Sequence, residues 1–230
     1  MRHKKLDKKL KELLNTFMQV KIVSDPQDSA QKNMAIDKKL LNETTNIPII
    51  RLYYWKTLSL TQAFNKKIPP NLQHLDYSLR PTGGGMVIHA PTDILITFIL
   101  PTNTPYLPKK TKHTLIHIKN IFKEFLDKRS LPTTPPAHST QTTIHLCQNY
   151  PSPFELYQKQ KKCLALAARL FRKNILIQSI LHCSNQLKYK DQLPNEYHPL
   201  LSPGLPQATC IQQLKYHLKK HLPITDTPHV

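Results

Sequence analysis

Three of the four glycines in this 230-residue chain stand in a row, Gly83-Gly84-Gly85. Such a run in a glycine-poor chain asks for a backbone reason. The reasons on offer are a positive φ angle, or a ligand held against bare backbone whose N–H groups serve as donors. An ordinary turn meets the same description. The four cysteines, Cys147, Cys163, Cys183 and Cys210, include no C-x-x-C pair, so neither a zinc knuckle nor a dithiol redox motif is supported. They are expected as free thiols, at most one of them reactive and the rest buried and inert. No metal is implied. Cations come in pairs, Lys38-Lys39, Lys66-Lys67, Lys109-Lys110, Lys161-Lys162 and Lys219-Lys220, and an isolated pair of this kind reads as a solvated surface feature.

The formal net charge is +19, from 33 Lys and Arg against 14 Asp and Glu. A field of that sign raises encounter rates with acidic partners, whether nucleic acid, anionic lipid or acidic protein. No basic block is interleaved with aromatics, so a nucleic-acid partner is not expected. The 39% hydrophobic content fits a folded chain of sufficient length for one sizeable core. No apolar run approaches the roughly 18 to 20 residues of a membrane span. The lysine-rich start has no apolar segment behind it and is not a secretory signal, so a cytoplasmic location without membrane attachment is expected.

Periodicity supplies the elements that must position these residues. Leu6, Leu10, Leu13, Leu14 and Phe17 recur at helical spacing. Val20 to Val23 reads as a strand ended by Asp25, Pro26 and Asp28, and Ser29 as the N-cap of a helix reaching Asn42. Strands are expected at Ile49–Trp55, Leu58–Leu60, Ser78–Arg80, Met86–His89, Ile94–Leu100, Thr143–Leu146, Phe154–Tyr157 and Ile175–His182. Helices are expected at Leu72–Leu75, Leu115–Leu126 and Thr209–His221, and a Pro/Thr-rich loop at Leu131–Thr143. Lys162 to Leu170 fits strand or helix. This order predicts an α+β fold, a central mixed or antiparallel sheet flanked by helices. The organisation expected is an N-terminal amphipathic helix over 1–19, a catalytic domain over 20–185, and a Pro-rich connection with a C-terminal helix over 186–230.

Four segments carry a resemblance. Asn33-Met34-Ala35-Ile36-Asp37 resembles an N-M-A-x-D helix, and Arg51-Leu52-Tyr53-Tyr54-Trp55 an R-x-Y-x-W strand. Arg80-Pro81-Thr82-Gly83-Gly84-Gly85-Met86-Val87-Ile88-His89 resembles the R-R-x-T/S-G-G-G-x-V-x-H segment. Cys147, then Phe154-Glu155-Leu156 and Lys161-Lys162, resembles a C-x6-Y-E-L and G-K-K sequence. In that order they resemble the lipoate-protein ligase and octanoyltransferase family, whose catalytic fold is shared with biotin-protein ligases.

The resemblance implies that Arg80, Thr82, Gly83, Gly84, Gly85 and His89 bind an acyl chain and its activated carboxyl group. Lys162 matches the family's essential lysine, an ammonium that steadies charge on an acyl oxygen. Cys147 matches the nucleophile of the octanoyltransferase branch, which takes octanoate from acyl carrier protein as a thioester and passes it to a lysine. Acceptors would be lipoyl domains of 2-oxoacid dehydrogenases or the glycine cleavage H protein. No cofactor is needed in that reading. An ATP-dependent lipoate-protein ligase would instead need ATP and magnesium, with Cys147 a bystander.

The departures keep alternatives open. The family's G-S-A is Ala165-Leu166-Ala167 here, its L-Q-H-G-S is Leu176-Ile177-Gln178-Ser179-Ile180, its first arginine is Leu79, and its S-L-G is Ser59-Leu60-Thr61. These changes are expected in loops that approach substrate. A catalytically degenerate member acting as a binding protein therefore stands beside the enzyme readings, as does a biotin-protein ligase, although its glycine- and arginine-rich adenylate loop has no match. Arg80 would face a phosphate or carboxylate, or pair with an acidic side chain. Asp37 reads as a helix-surface salt bridge, Met86, Val87 and Ile88 as core, and Cys163 as packing.

Overall fold

In the computed structural model the described residues are 20–43, 46–104, 107–108, 110–135, 147, 150–159, 161–183, 189, 191–193 and 207–222. The helix expected before residue 20, the strand at Thr143–Leu146 and most of the Pro-rich connection lie outside them.

Apolar, β-branched runs build the larger sheet. Its strands are β1 (Lys21–Asp28), β2 (Ile49–Trp55), β6 (Ile94–Pro101), β7 (Leu156–Gln158), β8 (Lys161–Leu170) and β9 (Asn174–Leu181), in the spatial order β1-β2-β6-β9-β8-β7. Only the β1–β2 pair is parallel, so the sheet is mixed. A second sheet of three strands runs β4 (Asp76–Arg80), β3 (Ser59–Ala63), β5 (Val87–His89). Strands β6 and β9 are buried along their whole length, as expected of strands covered on both faces.

One face is covered by α2 (Thr111–Asp127) and α3 (Gln207–His221). Ile118, Phe122 and Phe125 of α2 and Leu214 and Leu218 of α3 pack with Ile50, Leu52, Ile96, Phe98 and Ile177 of the sheet. The other face meets α1 (Ala30–Asn42), whose Met34 packs against Tyr53, Trp55 and Leu95. Ser29 caps α1 by accepting a hydrogen bond from the Lys32 N–H, as its position predicts. The α+β architecture is thus the expected one.

Three local expectations change. Strand β1 continues through Asp25 and Pro26, because it lies at a sheet edge and a register shift between Ser24 and Gln27 accommodates the residue that has no N–H. Lys161–Leu170 is a strand, hydrogen-bonded on both sides to β7 and β9. Its Ala165-Leu166-Ala167 segment, like Leu176–Ile180, therefore sits within the sheet and not in a substrate loop.

The third change concerns Asp37. It is fully buried, not at the helix surface. Its Oδ1 accepts from Arg51 Nη1 at 2.8 Å, and its Oδ2 accepts from Tyr53 Oη at 3.1 Å, Thr97 Oγ1 at 2.8 Å and Gln178 Nε2 at 2.6 Å. Arg51 also donates to Asp25, to the Asn33 carbonyl and to Asn33 Oδ1. Every charge in this cluster has a partner, as low-dielectric surroundings require.

Removing one partner of such a pair leaves the other charge buried and uncompensated. Arg51→Met is expected to lower unfolding free energy by about 3–5 kcal/mol in urea titrations. A loss below about 1 kcal/mol would mean that the network contributes little to stability.

Candidate functional site

Between the two sheets lies a cleft of about 330 Å³. Met34, Tyr53, Trp55 and Leu95 form its apolar floor, and Val87, Ala165 and Ile180 one wall. Thr111 and Leu115 of α2 and Phe154 stand around it. Ala165, Ala167 and Ala168 of β8 also border the space, where larger side chains would fill it. The Ala165-Leu166-Ala167 departure from the family's G-S-A thus borders the cleft mostly with alanines on a strand, with Leu166 the exception.

The glycine turn connects β4 and β5. Gly84 has φ +99°, and a Cβ there would lie 3.0 Å from Arg80 Nη2 and 3.2 Å from Cys147 Sγ. Gly83 has open space around its missing Cβ. Gly84 is therefore the position where the fold demands glycine, by conformation and by closeness. Gly83 and Gly84 border the cleft; Gly85 contributes its N–H, which donates to Cys147 Sγ at 2.8 Å.

Arg80 is buried beneath this turn. Its Nη2 donates to the Gly83 and Gly85 carbonyls at 2.7 and 2.6 Å, and its Nη1 to the Thr61 carbonyl at 3.1 Å and to Thr61 Oγ1 at 3.3 Å. None of these partners carries a carboxylate. Burial lowers the guanidinium pKa, and the neighbouring Cys147 sulfur opposes that shift. Thr82 points elsewhere: its hydroxyl donates to Gln178 Oε1 at 2.7 Å and ties the turn to the Asp37 network.

Cys147 is partly exposed at the cleft, and its N–H donates to the Met86 carbonyl at 2.7 Å. Lys162 stands behind it on β8, buried and outside the cleft lining. Its ammonium donates to the Cys147 carbonyl, to the Tyr150 carbonyl at 2.8 Å and to Glu155 Oε2 at 2.7 Å. Three donors thus meet three protein oxygens. Burial raises the pKa of Glu155, although Lys162 and the Tyr157 hydroxyl both act to lower it.

His89 stacks on Trp55 with ring centroids 4.6 Å apart, and its Nε2 lies 2.8 Å from Thr61 Oγ1. Burial pushes its pKa well down, and Arg80 and His182 add to the effect, so the imidazole is neutral at pH 7. Its Nδ1 and the Trp55 Nε1 are buried and have no hydrogen-bond partner among the described residues, and both residues border the cleft.

The structure therefore brings Cys147, Arg80, Gly83, Gly84, Gly85 and His89 together at one cleft, with Thr82 and Lys162 supporting them from behind. Trp55, Glu155 and Gln178 also belong to the site, although the residue patterns gave them no role. The available signal was a polar residue inside an apolar strand or beside the matched cysteine and lysine. Cys163, Cys183 and Cys210 are buried, and burial pushes the Cys163 thiol up to about 12.

No protein-family model and no curated protein sequence matches this chain. Solved structures do. A lipoate-protein ligase A bound with ATP superposes with a TM-score of 0.69 at 12% identity, over 92% of this chain and 88% of that one. The lipoate protein ligase of a bi-partite archaeal system from Thermoplasma acidophilum gives 0.68 at 12% identity, over 92% and 87%. A Plasmodium falciparum enzyme in complex with lipoate gives 0.62 at 13%, over 88% of this chain and 62% of that one. The chain has the fold of these lipoate-protein ligases.

Cys147 is the thiol that the native fold leaves accessible among these four. An aromatic disulfide reagent is expected to react rapidly with one equivalent in the native chain and with all four in denaturant. Native Cys147→Ala should show no rapid phase. Gly84→Ala is expected to cost roughly 1–2 kcal/mol in urea titrations, from positive φ and crowding together. Gly83→Ala, with open space around it, is expected to change stability by less than roughly 0.5 kcal/mol.

Proposed function

We propose that this chain belongs to the lipoate-protein ligase and octanoyltransferase family and moves an octanoyl or lipoyl group to a lysine of a lipoyl domain through a Cys147 thioester. The observation that carries this reading is Cys147 Sγ beside a largely apolar cleft, with the Gly85 N–H directed at it. A thiol there meets an acyl carbonyl whose chain lies against Met34, Trp55 and Leu95.

In the first step Cys147 sulfur attacks the carbonyl of octanoyl-acyl carrier protein. The C–S bond to the carrier breaks, and the carrier thiol leaves with the proton. In the second step a lysine amine of the acceptor attacks the Cys147 thioester. An amide forms, and the cysteine thiol is regenerated. No cofactor enters. Arg80 places a positive charge beside the reacting centre, with no carboxylate among its hydrogen-bond partners in the described residues, and so complements negative charge on the acyl oxygen.

Lys162 acts here as a positioning residue. Its ammonium holds the Cys147 carbonyl and the Tyr150 carbonyl, fixing the segment that carries the nucleophile. To meet an acyl oxygen directly it would have to leave one of its three acceptors. The net charge of +19 complements acidic carriers and lipoyl domains.

A second reading is ATP-dependent lipoate ligation, favoured by the shared fold with a ligase bound with ATP. ATP and magnesium would then supply activation of the carboxyl group as an acyl-adenylate. Among the described residues bordering the cleft, however, Arg80 and His89 are the basic side chains, His89 is neutral, and Glu155 adds a carboxylate. That lining fits an acyl chain better than a triphosphate, and favours the transferase.

Intact-protein mass spectrometry after mixing the chain with octanoyl-acyl carrier protein, without ATP, tests the proposal. An octanoyl adduct removed by hydroxylamine and absent from Cys147→Ala is the expected result. No adduct on the reduced native chain would sink the thioester mechanism. Modification of a lipoyl domain that then requires ATP, magnesium and lipoate would establish the ligase. Silence in both arms would identify a binding protein.

A further inference from the structure

We propose that Glu124, His217 and His221 form a binding site for a divalent transition cation of the zinc class, set between α2 and α3 and separate from the cleft. Each side chain offers one ligand atom, and these atoms all lie within 4.8 Å of one another. His217 and His221 are one turn apart on the same face of α3, with ring centroids 4.4 Å apart. Glu124 approaches from α2, its Oε2 lying 3.2 Å from His221 Nε2. None of the three borders the cleft.

The chemistry of His217 points the same way. Its Nε2 lies 2.9 Å from the Ile121 carbonyl, and a carbonyl only accepts, so Nε2 carries the proton. The lone pair is then on Nδ1. A metal-binding histidine is oriented in just this manner, one nitrogen donating to a backbone carbonyl and the other bearing the lone pair. The buried imidazole packs edge-on against the core residue Phe125, with ring centroids 5.6 Å apart.

Two imidazoles and a carboxylate are the three-ligand set of many zinc sites, with a fourth position left for water. Metal–ligand bonds of roughly 2.0–2.2 Å require the ligand atoms to draw together by about 1 Å. Glu124 and His221 are only partly buried and can make that adjustment; the buried His217 need not move. The basic groups nearest a bound dication are Lys128, which bonds Glu124 Oε1, and His117, within electrostatic reach of His221. Lys128 leaves Oε2 facing the histidines. A bound cation would fasten α3 to α2 where Arg129 of the α2 C-terminal turn already donates to Gln213 of α3 at 2.9 and 2.8 Å.

The test uses the full chain, stripped with EDTA, desalted and titrated with zinc sulfate by calorimetry. One equivalent is expected to bind with a dissociation constant of roughly 1 µM or below. At 100-fold excess over that constant the melting temperature should rise by roughly 5–10 °C. His221→Gln and Glu124→Gln, both at partly exposed positions, should weaken binding at least roughly tenfold while leaving the metal-free melting temperature close to that of the native chain. Absence of saturable binding up to roughly 100 µM zinc would overturn the proposal. So would one-equivalent binding that both variants retain unchanged, since it would place the metal elsewhere.

Discussion

The Asp37 carboxylate accepts four hydrogen bonds in the buried interior, and the seating of α1 on the larger sheet beneath the cleft depends on those bonds. A lone buried carboxylate is costly, so each donor must stay in register. Arg51 and Tyr53 fix β2, Thr97 fixes β6 and Gln178 fixes β9 against α1. The same glutamine accepts from Thr82, and so the network reaches the glycine turn of the smaller sheet. Met34 and Tyr53, which floor the cleft, sit on the elements that this carboxylate holds. The N-M-A-x-D and R-x-Y-x-W patterns thus describe a support for the site, and their polar members touch each other before they touch any ligand.

Much of the fold was legible because its signals are local. Ile49–Trp55 and Ile94–Pro101 are uninterrupted runs of strand formers, and Ser29 stands where an N-cap belongs. What failed depended on distant neighbours. Asp37 stands directly before Lys38-Lys39 and looks like a surface partner, because nothing nearby in sequence announces Arg51 from the adjacent strand. Pro26 stops a strand in general but not at an edge with a register shift. Lys161–Leu170 lacks either period because only its first residues pair with β7, the rest pairs with β9, and its alanines border the cleft.

The candidate site was legible as a set of residues and less so as a set of roles. Cys147, Arg80 and the glycine turn do meet at one cleft, although Cys147 and Arg80 are far apart in sequence. The orientation of Lys162 is another matter. A spacing pattern places its Cα, whereas three oxygens from Cys147, Tyr150 and Glu155 decide where its ammonium points. Two of the three are backbone carbonyls, which leave no mark in side-chain identity. Thr82 likewise belongs to the glycine motif yet turns toward Gln178.

The two buried arginines show how the same residue type takes opposite parts. Arg51 is matched by Asp25 and Asp37, so its charge is compensated and the pair serves rigidity. Arg80 is nearly as buried, and its partners among the described residues are carbonyl oxygens, a threonine hydroxyl and the Cys147 sulfur. Dipoles of four oxygens hold it in place without cancelling its charge, and the residual field extends into the space that Gly83, Gly84 and Cys147 border. A carboxylate partner would have cancelled that field. With no carboxylate among its described hydrogen-bond partners, Arg80 keeps a positive potential beside the Cys147 sulfur, and a potential held in place in this way needs no reorganisation when negative charge appears next to it.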